Sequence, residues 1–273
     1  MNYKLRTNKA FTLIELVVAI AILAMVFSFA GVIFKVSIGA FRTAIANAEI
    51  MRKLRAITDQ LNTDFKGVGK GLPIVVWSNR IVFLATGDFQ SIRQYEYGAS
   101  GNKKTVAGNL ASIFYGMTGT VTGGQVLSRG QMILTSDYSL QDSNALDLGE
   151  YFKMPFYEFR AECKNIFGSK LRWAGGGGIL PSLDTTSEQD LVRYMAKDVS
   201  DFTVEYERWD NTTGRFDWLP GGGGDGTFVD SDHAIRFEKR PGTRALKFSF
   251  TLYDSMGIIE KGRRFTHIVY IGD

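Results

Sequence analysis

Phe11–Phe34 reads FTLIELVVAIAILAMVFSFAGVIF, an apolar run of 24 residues whose only charge is Glu15, closed by Lys35. At 1.5 Å per residue a helix of that length spans roughly 36 Å, enough to cross a hydrocarbon core about 30 Å thick. The ten residues before it hold Lys4, Arg6 and Lys9 and no acid. The positive-inside rule leaves this flank in the cytoplasm and sends everything after Lys35 across the membrane, so a single-pass anchor is the expectation. A secretory signal peptide also has a basic start, and Ser28-Phe29-Ala30 would serve as its small-x-small cleavage site, cut after Ala30. Two features weigh against it. The run is longer than the roughly 7–15 residues of such a segment, and it carries a carboxylate near its cytoplasmic end. An ionised side chain inside a membrane helix costs about 2.5–3.5 kcal/mol on insertion scales, which makes Glu15 a functional residue in need of a partner. The bland alternative is a side chain that snorkels to the interface.

The helix is expected to outlast the membrane. No proline occurs before Pro73, and beyond Phe34 the pattern becomes amphipathic. Ile50, Leu54, Ile57, Leu61, Phe65 and Val68 recur at spacings of 4, 3, 4, 4 and 3, a helical stripe, with Glu49, Arg52, Lys53, Arg55 and Asp59 on the other faces. Gly67, Gly69, Gly71 and Pro73 supply the stop. A helix from Phe11 to about Lys66 would be roughly 84 Å long. The stripe lasts barely three heptads and lacks ordered flanking charges, so packing on a globular core is a better reading than a coiled coil. Gly31 and Gly39 are the places where such a helix would flex.

Past Pro73 the period drops to two. Ile74–Trp77 and Arg80–Ala85, separated by Ser-Asn, read as a hairpin. Ile92–Tyr97, Leu110–Tyr115, Gln131–Thr135 and Phe156–Glu162 are further strand candidates. Phe202, Val204 and Tyr206 alternate with Thr203, Glu205 and Glu207; Leu246, Phe248, Phe250 and Leu252 alternate with Lys247, Ser249 and Thr251. Phe265–Ile271 reads as a strand buried on both faces. Gly175–Gly178 and Gly221–Gly224 are read as loop tips, with room for two sheet lobes breaking near Gly175. The fold class is therefore α+β, a long N-terminal helix packed on an antiparallel β-sheet domain. Its parts are residues 1–10, a basic leader; 11–34, the membrane half of the helix; 35–71, its amphipathic half; and 72–273, the β-rich domain.

Composition closes off several functions. The chain of 273 residues is 45% hydrophobic and 22% charged, enough to bury a core, and its 20 Phe, 11 Tyr and 4 Trp suit sheets. One cysteine, Cys163, cannot make an intrachain disulfide. The net charge of +4 comes from 32 basic and 28 acidic residues; taking the leader's three basic residues from 32 leaves 29 against 28. Direct nucleic-acid binding gets little support from that balance. Gly67-Val68-Gly69-Lys70-Gly71 lacks the hydroxyl of a phosphate loop and follows a helix. Asp142, Asn144, Asp147 and Glu150 are a weak calcium candidate: the spacing departs from an EF-hand loop and a solvated loop is the default. Asp225, Asp230 and Asp232 are read the same way, and His233, His267 and Cys163 as structural residues. No metal, cofactor or enzymatic motif is expected.

Lys9-Ala10-Phe11-Thr12-Leu13-Ile14-Glu15-Leu16 resembles the class III signal of type IV pilins and type II secretion pseudopilins. The resemblance implies cleavage between Ala10 and Phe11 by a membrane-embedded prepilin peptidase, N-methylation of Phe11, and a register-setting ion pair between Glu15 and the Phe11 amine of a neighbouring subunit. Ala10 stands where the family more often has Gly. The helix end (Leu54, Ile57, Leu61, Asp64, Phe65) and the C-terminal run (Asp198-Val199, Phe202, Val204, Tyr206, Trp209, Trp218, Arg244–Phe248) resemble J-type minor pseudopilins. That resemblance covers the helix and roughly the last 75 residues; the middle, about 75–190, matches no pattern. It implies a non-enzymatic subunit at the tip of a type II secretion pseudopilus in the bacterial inner membrane, with its globular domain periplasmic. Its partners would be I- and K-type minor pseudopilins, the major pseudopilin, and secreted cargo or secretin. The alternatives are a W-type minor pilin of a type IV or DNA-uptake pilus, and an anchored adhesive or ligand-binding β-domain that uses Trp209 or Trp218.

Overall fold

The computed structural model describes residues 12–68, 73–98, 101–119, 125–140, 151–153, 194–210, 212–220, 234–236 and 245–271. The chain divides into two units, Met1–Ala48 and Glu49–Asp273. The helix α1, Leu13–Lys66, supplies all the described secondary structure of the first unit and the opening element of the second. It runs unbroken through Gly31 and Gly39.

In the first unit the described stretch Leu13–Phe34 is apolar and uncovered. From Leu13 to Phe34 the large side chains are exposed, from Leu13 at 82% to Phe34 at 68%. A helix apolar on every face does not stand in water; it needs a bilayer or other apolar helices around it.

In the second unit the strands are β1 (Pro73–Trp77), β2 (Arg80–Tyr97), β3 (Asn102–Gly119), β4 (Gln125–Thr135), β5 (Tyr151–Lys153), β6 (Tyr194–Lys197), β7 (Val199–Asp210), β8 (Arg215–Pro220), β9 (Ala234–Arg236), β10 (Ala245–Leu252) and β11 (Arg263–Tyr270). Seven form one sheet in the order β5-β4-β3-β2-β1-β9, with β6 also on β4; four form a second, β11-β10-β7-β8. All described pairings are antiparallel except β4 with β5. The tight β1–β2 hairpin closes with Trp77 opposite Arg80, as the Ser-Asn spacer implies. Residues 80–97 do not split into two strands as expected. They form one long strand with register shifts between Thr86 and Phe89 and between Gln90 and Gln94, because bulges absorb the extra residues without ending the ladder. The expected strand Phe156–Glu162 and the lobe break near Gly175 lie outside the described residues.

Among these residues the chain changes sheet at Asp198, between β6 and β7. Asp198 and Asp201 both take left-handed backbone, φ 56° and 52°, a conformation Asp tolerates better than most residues. The β10–β7 register shifts between Ser249 and Thr251, and Thr251 donates to Asp201 Oδ2 at 3.2 Å.

The core is built from the helix and both sheets. Ile50, Ile57, Leu61 and Phe65 are buried, and Leu54 and Val68 pack against them half-buried. Phe65 stacks on Phe83 of β2 at 4.2 Å and meets Phe248 of β10 at 5.7 Å, so this part of α1 touches both sheets.

One strand reading needs correction. β11 is not buried on both faces: Thr266, Ile268 and Tyr270 are exposed, Phe265 and His267 half-buried, and Val269 and Ile271 buried. It is an edge strand with β10 on one side, so only its inner row is covered. β10, in contrast, is closed on both faces. Ser249 and Thr251 are buried beside Leu246, Phe248, Phe250 and Leu252, with the Ser249 hydroxyl 3.2 Å from that of Thr266.

Candidate functional site

The candidate site begins where α1 starts. Thr12 precedes the first helical residue, Leu13, and is its N-cap. Thr12 N–H donates to Glu15 Oε2 at 2.9 Å, the Thr12 hydroxyl donates to the same oxygen at 2.9 Å, and Glu15 N–H donates to Thr12 Oγ1 at 3.3 Å. This is a reciprocal capping box, Thr-x-x-Glu, which satisfies two of the helix's four unpaired N–H groups. It also places a carboxylate at the positive end of the helix dipole. The Glu15 carboxylate therefore has a local partner within a helix that is long and apolar enough to cross a membrane. Ala10 and Phe11 lie outside the described residues, immediately before this cap.

At the other end of α1 the helix is pinned to the β-domain by polar contacts that the sequence reading passed over. Arg129 donates from Nε to Asp64 Oδ2 at 2.7 Å and from Nη2 to Asp64 Oδ1 at 2.8 Å. The Tyr115 hydroxyl donates to Asp64 Oδ2, and Gln60 Nε2 to Oδ1 at 3.0 Å. Tyr115 and Arg129 face each other across β3 and β4, so Asp64 docks on one cross-strand pair. Burial, and then the Asp64 charge, push the Tyr115 hydroxyl far above its usual range. Burial alone would lower Arg129, but its bonds to Asp64 and that carboxylate's charge outweigh it and hold the guanidinium above its ordinary value. A signal for Asp64 was present: it stands seven residues after Ile57, inside the apolar stripe, where an acid must find a partner.

Glu49 and Lys53, which lie off the apolar stripe, are engaged as well. Lys53 Nζ reaches Glu49 at 3.0 Å, Asp198 at 3.1 Å and the Tyr253 carbonyl at 2.9 Å. Ser255 donates to Glu49 from its N–H and its hydroxyl. Burial would raise the Glu49 pKa; the bonds from Lys53 and Ser255 win and lower it. His267 Nε2 lies 2.9 Å from Asn62 Oδ1.

Asp142, Asn144, Asp147 and Glu150 lie outside the described residues, as do Asp225, Asp230, Asp232, His233 and Cys163, and so does the Trp209 side chain. Trp218 is half-buried with Lys247 over its ring at 4.8 Å. Among the described residues no group of three or more His, Cys, Asp or Glu side chains could hold a metal ion.

A profile of the prokaryotic N-terminal methylation motif matches residues 5–31. No curated protein and no solved structure matches the chain. The matched segment covers residues 5–10 of the basic N-terminal flank, the capping box and most of the apolar run. The chain thus carries the N-terminal methylation motif of the prepilin class, which overlaps the start of an apolar, membrane-capable helix followed by an α+β domain.

Proposed function

We propose that the chain is a minor pseudopilin of the J-type, a non-enzymatic subunit at the tip of a type II secretion pseudopilus. There it primes assembly with I- and K-type partners ahead of the major pseudopilin and contacts secreted cargo or the secretin. The observation that supports the pilin-class part of this reading is the methylation motif over residues 5–31, which runs into an apolar helix whose large side chains are exposed from Leu13 to Phe34. Prepilin peptidase cuts between Ala10 and Phe11 and methylates Phe11. The anchor sits in the bacterial inner membrane with its N-terminus cytoplasmic and residues 72–273 periplasmic. Glu15, held by Thr12 within its own chain, exchanges that partner for the Phe11 amine of a neighbouring subunit when the subunit joins the filament. An unpaired member of a desolvated ion pair is strongly penalised, so the pair acts as a register device between subunits.

The test is the intact mass and N-terminal peptide of the protein from its native membrane. A chain beginning at N-methylated Phe11 supports the reading, and one beginning at Gly31 overturns it in favour of a secreted β-domain. Deletion then separates the roles. Lost protein secretion with intact pili supports the pseudopilin. Lost pili or DNA uptake with intact secretion points to a W-type minor pilin, and lost surface attachment alone points to an adhesive domain.

A further inference from the structure

We propose that the buried Asp64–Arg129–Tyr115 cluster is a register lock: it selects one axial position of α1 on the seven-stranded sheet, and contributes little net stability. This inference is independent of the secretion role. Its basis is the near-repetition of the helix's own stripe. If residues 49–66 slid by one turn, so that each stripe site received the residue four positions earlier, Ile50, Ile57 and Leu61 would replace Leu54, Leu61 and Phe65. Ala46 would replace Ile50. Four of those five sites would keep an apolar side chain, and Lys53 would fall on the fifth. Apolar packing is non-directional and tolerates exchange of similar side chains, so four of the five sites separate these registers weakly. At the fifth, Lys53 would enter the fully buried Ile57 site without Asp198 beside it, a charge penalty that already disfavours the slide.

Asp64 adds a second discrimination, on the sheet side. In the slid register its place opposite Arg129 would be taken by Gln60, leaving a mostly covered guanidinium, 18% exposed, with no carboxylate. In the observed register Asp64 is 4% exposed and takes two bonds from Arg129, one from Tyr115 and one from Gln60. Arg129 goes on to Gln131 Oε1 at 3.2 Å, and Gln131 donates to the Gln90 carbonyl at 3.0 Å. One helix residue is thereby tied to β2, β3 and β4 together. A buried ion pair is often no more stabilising than apolar side chains of similar volume, yet leaving one member unpaired is severely costly. That asymmetry suits a device which rejects wrong registers, as a single buried polar residue does in a coiled coil.

The test uses the full-length chain in detergent micelles, with Cys163→Ser and spin labels at the exposed positions Thr63 on α1 and Gln125 on β4. The distance distribution between them is read for the otherwise unaltered chain, for Asp64→Asn, and for the apolar triple variant Asp64→Leu/Tyr115→Phe/Arg129→Met. The unaltered chain should give one narrow distance. The triple variant should recover the thermal midpoint lost by Asp64→Ala or Arg129→Ala alone, while its distribution broadens or gains a second population displaced by about one helical turn, roughly 5.4 Å. Asp64→Asn keeps the side-chain shape and is the milder change, and it should broaden the distribution in the same sense. A narrow, unmoved distance in Asp64→Asn overturns the lock whether or not the triple variant folds. So does a folded triple variant with one narrow distance, or one no more stable than the single truncations, which would make the cluster an ordinary stabilising contact.

Discussion

Phe65 of α1 lies face to face with Phe83 of β2, ring centroids 4.2 Å apart and planes 25° from parallel. Tyr115 continues the stack beyond Phe83 at 6.3 Å, and Phe248 of the other sheet closes on Phe65 at 5.7 Å. A single helical side chain thus joins the two sheets. Phe65→Ala should destabilise the β-domain by about 3–5 kcal/mol, and Phe65→Leu by clearly less. Chemical denaturation followed by tryptophan fluorescence measures both.

Gly67 ends the helix against the backbone of β2. Its carbonyl accepts from Thr86 N–H at 2.6 Å and from the Thr86 hydroxyl at 2.8 Å, and a Cβ there would sit 2.2 Å from the Thr86 carbonyl oxygen. Gly108 is equally confined, with the Leu134 carbonyl oxygen at 2.4 Å. Gly67→Ala and Gly108→Ala should each cost about 1–3 kcal/mol, since backbone must move aside. Thermal melts of the two variants against the unaltered chain provide the check.

His267 is half-buried on the inner row of β11, with Asn62 of α1 at 2.9 Å and Phe248 of β10 directly across the ladder. Burial lowers its pKa below the ordinary 6.5. The unfolded chain therefore protonates first, and the folded form loses stability as pH falls through about 6.5 toward the lower folded value. His267→Gln should flatten this part of the profile, read as denaturation midpoints between about pH 7.5 and 5.

Asp137 is bound by Lys104 first and Ser139 second, which together draw its pKa down to about 2 from 3.8. Its contribution is fully present above the unfolded pKa and fades as pH falls through the folded one. Because the pair is partly exposed the effect should be small and salt-sensitive. Asp137→Asn should blunt acid unfolding between about pH 4 and 2 at low ionic strength, and high salt should erase the difference.

Thr12→Ala removes the N-cap hydroxyl while leaving the apolar run intact. The first turn should fray, by about 0.5–2 kcal/mol, and Thr12→Ser should restore it. Hydrogen exchange at the Leu13–Leu16 amides in micelles reports the change.

Much of this architecture was readable in the chain because its signals are local. An apolar run of 24 residues and a motif over residues 5–31 need no neighbours to be recognised. The stripe Ile50, Leu54, Ile57, Leu61, Phe65, Val68 declares its face by period alone. The alternation of Phe202, Val204, Leu246, Phe248 and Phe250 likewise marked the inner rows of β7 and β10. What escaped is what neighbours decide. Period two says that a residue faces one side of a strand, but not whether that side is covered: Ser249 and Thr251 are buried because β10 is central, and Tyr270 is 76% exposed because β11 is an edge. Glu49 and Lys53 stood only on the helix's other faces, and Asp64 only in its end pattern, until Ser255, Asp198 and Arg129, between 65 and 206 positions away, came within bonding distance. The amino-acid sequence alone determined the helix, its apolar face and its processing motif, since those follow from backbone periodicity and local chemistry. Only the tertiary structure decided strand order, the bend at Asp198–Asp201 and the partner of the buried acid, since burial and pairing are properties of residues brought together from distant parts of the chain.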